Sequence, residues 1–223
     1  MENKSNIYER LLELPLFQGM SMADLTTAVG QTPFGFHKYD AGVQIIAEGD
    51  ACNHLLFLLK GELEVSAMAD DHGYEFIEQM KAPDILQPEC FFGLTQRYTR
   101  SFRSTTPCSF LALGKHEVNQ LADIYIFRLN LLNILSTQSQ KHQRRLWHPA
   151  AGSLQKRIIS FVESHCLRPA GPKTLKIKMT RLAEELNDSR LEISRALNNM
   201  QAEGLILLRR GVIFIPAMEK LIM

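Results

Sequence analysis

The sequence predicts an α+β chain in three parts: an N-terminal antiparallel β-roll, a long dimerisation helix and a C-terminal winged helix-turn-helix. Three observations carry this. Short β-rich runs broken by turn residues fill the stretch from Phe34 to Ala112, Val118 to Trp147 continues without Gly or Pro, and Met179 to Ile206 reads as two short helices around a polar turn. The boundaries expected from these textures are 1–117, 118–148 and 149–223.

At the N-terminus, Ile7 to Leu16 is amphipathic, with Leu11, Leu12, Leu14, Leu16 and Phe17 as its apolar content, and Gly19 stops it. Ser21-Met22-Ala23-Asp24 caps a second short helix that runs through Val29. In the roll, turns are expected at Asp40-Ala41-Gly42, Glu48-Gly49-Asp50, Lys60-Gly61-Glu62, Asp71-His72-Gly73 and Thr106-Pro107. Strands are expected between them at Val43–Ala47, Leu55–Leu59, Leu63–Ala67, Phe76–Met80 and Phe110–Leu113. Many short strands at this spacing argue a closed antiparallel roll whose interior can hold one small ligand.

Val118 to Trp147 spans about eight helical turns. It carries two apolar stripes, Val118, Leu121, Tyr125, Leu132 and Leu135 on one and Ile124, Phe127, Leu131 and Ile134 on the other. One stripe packs on the roll, and a two-fold copy of the helix is the economical partner for the second. Lys141, Arg144 and Arg145 sit at the end that favours positive charge. His148-Pro149-Ala150-Ala151-Gly152 is the expected hinge. Ser153 then starts a helix that buries Leu154, Ile158, Phe161 and Val162, and a turn at Arg168–Pro172 leads into a strand at Leu175–Lys178.

In the last part, Thr180 is read as the N-cap of a helix burying Leu182, Ala183 and Leu186. Asn187-Asp188 breaks the pattern. Ser189 restarts it, with Glu192 at capping-box spacing. Ile193, Ala196, Leu197 and Met200 share the inward face, which turns Leu191, Arg195 and Asn198 outward with Arg190 near the start. One long apolar residue, one bidentate donor and one amide suit base edges in a major groove better than they suit bulk water. Glu203-Gly204 stops the helix. Leu205–Leu208 and Val212–Ile215 form a hairpin whose tip, Arg209-Arg210-Gly211, suits phosphates. The candidate DNA contacts are Thr180, Ser189, Arg190, Leu191, Ser194, Arg195, Asn198, Arg209 and Arg210.

Composition agrees. Of 223 residues, 45% are hydrophobic and 22% charged, ordinary for a globular protein. The net charge of +1 conceals a split: residues 151–223 hold 12 Lys+Arg against 7 Asp+Glu, leaving 13 against 17 in residues 1–150. A basic C-terminal part on an acidic partner fits a nucleic-acid binder joined to a sensor. No apolar run reaches membrane-spanning length and the N-terminus is too polar for a signal peptide. Cys52, Cys90, Cys108 and Cys166 are scattered without a Cys-x-x-Cys pair, so no structural metal is expected, and a reduced, cytoplasmic chain is. P-loop, Gly-x-Ser-x-Gly and His-Glu-x-x-His motifs are absent, and no enzyme is expected.

In this order and length, the roll, long helix, hinge and winged helix-turn-helix resemble the Crp/Fnr family of bacterial transcription regulators. The resemblance is carried by Leu14-Pro15-Leu16-Phe17, by Glu48-Gly49-Asp50, by the run from Leu56 to Val65, and by Ser189-Arg190 with Arg195. It implies a cyclic-nucleotide-binding-like roll, a homodimer, a small signal sensed in the roll and a palindromic double-stranded DNA operator; RNA polymerase is a further candidate partner. The effector stretch departs from the cyclic-nucleotide pattern. Glu89 matches the ribose-binding acid, but Pro88 stands where that pattern has Gly and removes a backbone donor. Downstream, Tyr98 falls near the expected Arg within Arg97-Tyr98-Thr99-Arg100-Ser101. Glu89, Cys90, Arg97, Tyr98, Thr99 and Arg100 are the effector-pocket candidates, and cyclic AMP is not the expected ligand. The iron–sulfur members' N-terminal cysteine cluster is absent; haem stays open through His37, His54 and His72, although scattered histidines are more often surface residues. Leu191 replaces the Glu that many relatives set against cytosine, and suits a thymine methyl instead. The competing reading is a small-molecule-binding module whose output is a protein partner, with a merely structural helix-turn-helix.

Overall fold

The computed structural model describes residues 2–147 and 152–222, so most of the expected hinge at 148–152 lies outside the described residues. The chain forms two compact units, Met1–Leu63 with Met80–His142, and Glu64–Gln79 with Gln143–Met223. The second is discontinuous in sequence, which the run of strands did not announce.

In the first unit, helix α1 spans Glu2–Glu13 and α2 spans Met22–Gln31. Ser21 and Asp24 close a reciprocal capping box at the start of α2, each side chain accepting from the other's backbone N–H. Strands β1 (Gly35–Tyr39), β2 (Gln44–Ile46) and β3 (Leu55–Lys60) follow, and β4 (Glu62–Met68) and β5 (Tyr74–Lys81) form a long hairpin. Then come β6 (Asp84–Leu86), a 3₁₀ turn at Pro88–Cys90, β7 (Ser101–Ser104) and β8 (Cys108–Leu113). One antiparallel sheet runs β1-β8-β3-β6, and β2 pairs with β7. The apolar run of β3 takes a central position, where Leu55, Phe57 and Leu58 are fully buried. Phe17 sits edge-on to Phe57 and Phe127, with centroids 5.9 and 5.3 Å away, tying the N-terminal segment and the following helices to the sheet.

The expected single helix from Val118 is two. Helix α3 (Lys115–Leu121) stops, and α4 (Tyr125–Trp147) restarts after Ala122–Ile124. The break has no Gly or Pro. It is closed by short i→i+3 bonds from Asp123 and Ile124 and by the Arg128 guanidinium, which donates to the Ala122 carbonyl at 2.8 Å. Packing imposes it, because Val118, Leu121 and Phe127 are all buried across the interruption. On α4, Phe127 and Leu131 are buried, with Ile124 just before it and Ile134 half-buried, while Tyr125, Leu129 and Leu132 face solvent. The first stripe is therefore divided: Val118 and Leu121 are buried and Leu135 is half-buried, while Tyr125 and Leu132 lie exposed together with Leu129, which belonged to neither expected stripe.

In the second unit, α5 (Leu154–His165) precedes β9 (Lys173–Ile177), α6 (Met179–Glu185), α7 (Arg190–Ala202), β10 (Leu207–Arg209), β11 (Val212–Ile215) and α8 (Glu219–Ile222). Its sheet runs β10-β11-β9-β5-β4, with β10 and β11, β11 and β9, and β9 and β5 paired antiparallel. Phe76 of β5 joins Ile158, Val162, Leu175, Leu182, Ile193, Leu197 and Ile213 in one core. At the hairpin tip His72 adopts φ 55° and Gly73 donates to the Asp71 carboxylate at 2.9 Å, an Asx turn.

Candidate nucleic-acid interface and sensor pocket

The two-helix motif is built locally. Helix α6 begins two residues earlier than expected: Lys178 occupies the N-cap without a side-chain bond, and Thr180 lies exposed in the first turn rather than capping it. The turn between the helices uses Asn187 at φ 48°, a left-handed conformation Asn tolerates. Asp188 then accepts from the Ser189 amide at 2.7 Å and pairs with Arg157 of α5, whose guanidinium also donates to the Leu186 carbonyl at 2.7 Å. Those two bonds, the Ser189 amide first, hold the Asp188 carboxyl below its ordinary range. No local pattern in the sequence marks Arg157, yet it clamps the turn that sets the angle between α6 and α7.

Ser189 caps α7 by accepting from the Glu192 amide at 3.1 Å. The reciprocal half of the expected capping box is missing. The Ser189 amide is already taken by Asp188, and the Glu192 carboxylate reaches forward to Arg195, 2.7 Å away. On α7, Ile193, Leu197 and Met200 are buried, while Leu191, Arg195 and Asn198 fall within about 60° of arc on the exposed side. Leu191 is 60% exposed. Ser189 and Arg190 are exposed at the helix start, and Ser194 is half-buried beside them.

Arg209 pairs with Val212 in register, so the wing turns through Arg210 and Gly211, the latter at φ 72°, where glycine carries no Cβ penalty. Both arginines are exposed at the tip. The Leu208 amide donates to the Gln201 side chain at 2.7 Å, fastening the wing to the end of α7. Helix face and wing tip thus present every predicted DNA-contact residue except Ser194 to solvent.

The expected effector stretch closes on itself. Gln87, at φ 35° before Pro88, uses both ends of its amide on Thr99, accepting from the Thr99 N–H at 3.2 Å and donating to its hydroxyl at 2.7 Å. A non-glycine residue in that conformation is strained, and the paired amide holds it there. Tyr98 is buried, its hydroxyl donating to the His54 carbonyl at 3.2 Å. Arg97 turns out to the Gly49 carbonyl at 2.7 Å, and Arg100 is half-buried. Glu89 keeps one carboxylate oxygen inside without a protein donor. Of the six candidates, Glu89, Cys90 and Tyr98 converge, joined by Cys52, whose thiol, like the Tyr98 hydroxyl, donates to the His54 carbonyl. Cys52 lies 38 residues upstream of Cys90, too far for spacing to reveal it.

Burial raises all three acidic groups, the Cys90 thiol from 9.0 to about 11, with the Glu89 charge adding to it, and the Cys52 thiol and Tyr98 phenol likewise. Both thiols are neutral at physiological pH. A raised folded-state pKa leaves stability intact below the unfolded value and erodes it as pH climbs towards the folded one. Unfolding free energy should therefore hold up to about pH 9 and fall between pH 9 and 11, and Cys52→Ala/Cys90→Ala should flatten that fall. Denaturant titrations across this range check it; an unchanged slope in the double variant would rule the thiols out as its cause.

Two family models match the chain: a cyclic nucleotide-binding domain over residues 36–125 and a Crp-like helix-turn-helix domain over residues 156–223. No curated protein matches in a whole-sequence comparison. Among solved structures, the Thermus thermophilus catabolite activator protein aligns with TM-score 0.52 at 19% identity, over 93% of this chain and 95% of that one. The sensor domain of the transcriptional regulator DNR from Pseudomonas aeruginosa aligns with TM-score 0.52 at 15% identity, over 69% of this chain and all of that one. At these identities the likeness is one of fold. A roll matched by the first model and a helix pair and wing matched by the second, in this order along one chain, make this protein a DNA-binding transcriptional regulator of the Crp/Fnr family.

Proposed function

We propose that the protein is a homodimer that reads a palindromic operator under the control of a small molecule other than a cyclic nucleotide. In this reading residues 1–117 sense, 118–148 pair the two copies and 149–223 bind DNA. The carrying observation is the asymmetry of α7. One face is fully buried, and the other exposes Leu191 beside Arg195 and Asn198, a combination that has no use in water. Arg190, Ser189 and Ser194 flank that face, with Thr180, Arg209 and Arg210 assigned to phosphates. Exposure of Tyr125, Leu129 and Leu132 along α4 supports pairing of two copies. The sensor reading rests on the neutral cluster of Cys52, Cys90 and Tyr98, and on Thr99 being occupied by Gln87 where a nucleotide phosphate would need donors.

Selection of duplexes from a random pool by the full chain should enrich a two-fold repeat with half-sites about one helical turn apart. Recovery of no sequence above a scrambled duplex would favour a protein partner instead. Calorimetry with cyclic AMP to millimolar concentration should give no saturable heat; a micromolar site would return the pocket to the nucleotide pattern.

A further inference from the structure

The DNA-binding unit contains a strand that the C-terminal segment does not encode. Strand β5 pairs with β9 over five residues, Tyr74 to Ile177 at one end and Glu78 to Lys173 at the other. At that far end the Glu78 and Lys173 side chains are 1% and 0% exposed, with Nζ and carboxylate 2.9 Å apart. Glu78 also accepts from the Leu167 amide at 2.7 Å and the Arg168 amide at 3.4 Å, and Lys173 donates to the Ala170 carbonyl at 2.9 Å. One carboxylate therefore fixes the whole turn between α5 and β9. Nearer the hairpin tip, Asp71 pairs with Arg181 at the start of α6 at 2.8 Å, and the Tyr74 hydroxyl meets His165 of α5 at 3.1 Å.

The hairpin has almost no slack at its other end. Gly61 alone separates β3 from β4, at φ 103°, and a Cβ there would lie 2.7 Å from the Pro107 carbonyl oxygen. Two residues separate β5 from β6, and β6 pairs with β3 before running directly into Gln87. From Gln87, whose amide holds Thr99, to Glu78 the path is eight residues of mostly extended chain.

From this geometry we propose that Glu78 is a positioning residue for the helix-turn-helix, acting through Lys173, and that the β4–β5 hairpin is an integral part of the DNA-binding unit. The role given to α6 and α7 rests on the DNA-binding reading; the docking of the hairpin does not. A buried charge without its partner is strongly destabilising, whereas replacing both partners by apolar groups of similar size is often well tolerated. In the full-length chain, amides of β5 should exchange with deuterium as slowly as those of β9. Scanning calorimetry should show one transition. Lys173→Met or Glu78→Gln should split it, the DNA-binding unit melting more than about 10 °C below the roll, with β5 and β9 amides losing protection together. The double replacement Glu78→Leu/Lys173→Met should restore a single transition and slow exchange.

Fast exchange in β5 beside a protected β9, or single variants that melt like the wild type, would overturn the proposal. A mere packing role would lower stability without splitting the transition, and that outcome also overturns it. If the double variant melts as one body while neither it nor the wild type binds any duplex, the hairpin stands and the DNA-binding reading falls.

Discussion

Arg195→Ala should cost about 1–3 kcal/mol at each half-site and relax the base preference at one position, because in the proposed recognition mode its guanidinium bridges two acceptors on a guanine edge. A dimer counts the loss twice. The Glu192 carboxylate already holds that guanidinium at 2.7 Å in the free protein, so the base edge must outcompete it. Replacing Arg209 and Arg210 should act differently. They sit on a hairpin tip and offer charge to the backbone, so their loss weakens every duplex alike and lowers the salt slope by about 0.9 per phosphate contact. Affinity against salt concentration, on a selected operator and on a scrambled duplex, separates the two. Equal weakening of both duplexes by Arg195→Ala would mean that α7 does not read bases.

In the proposed homodimer, Leu129→Glu/Leu132→Glu should leave a folded monomer, raising the dissociation constant by about a thousandfold, or roughly 4 kcal/mol. Both side chains are exposed on α4, Leu132 at 55%, so a single chain tolerates the charges, whereas a two-fold seam would bring four carboxylates together. Leu131→Glu is the internal control. Leu131 is buried against its own unit, and the substitution should unfold the chain rather than merely dissociate it. Sedimentation at micromolar concentration reads the first effect and circular dichroism the second. A wild type already monomeric under these conditions would place the pairing surface elsewhere.

Features set by neighbouring residues were legible in the sequence. The Asn187-Asp188 break, the Ser189 cap, the Arg210-Gly211 turn and the burial of Ile193, Leu197 and Met200 follow from local chemistry and a 3.6-residue period. Strand β6 is three residues long and β1 is largely exposed, so neither has the alternation that reveals a strand. The break between α3 and α4 has no sequence marker because packing of Val118 and Phe127 decides it. The hairpin left one signal. Phe76, Glu78 and Met80 alternate into the same buried phase, and a carboxylate there requires a buried cation. Which cation it meets depends on Lys173, a contact across 95 residues that no local pattern encodes. The sensor cluster is hidden for the same reason, since Cys52 and Cys90 come together only when the roll closes.

That separation of 95 residues also has a meaning in time. At a synthesis rate of about 5–20 residues per second, β5 leaves the ribosome roughly 5–20 s before β9 exists to pair with it. During that wait the hairpin is an open edge carrying Phe76 and Met80, the sort of strand that recruits other nascent chains. Glu78 stands between them as a hydrated carboxylate, and an inward-pointing charge on a bare edge discourages such pairing. Only Lys173, arriving with the last third of the chain, makes its burial favourable. The carboxylate that fixes the turn in the finished protein is the one that keeps the unfinished chain from joining the wrong sheet.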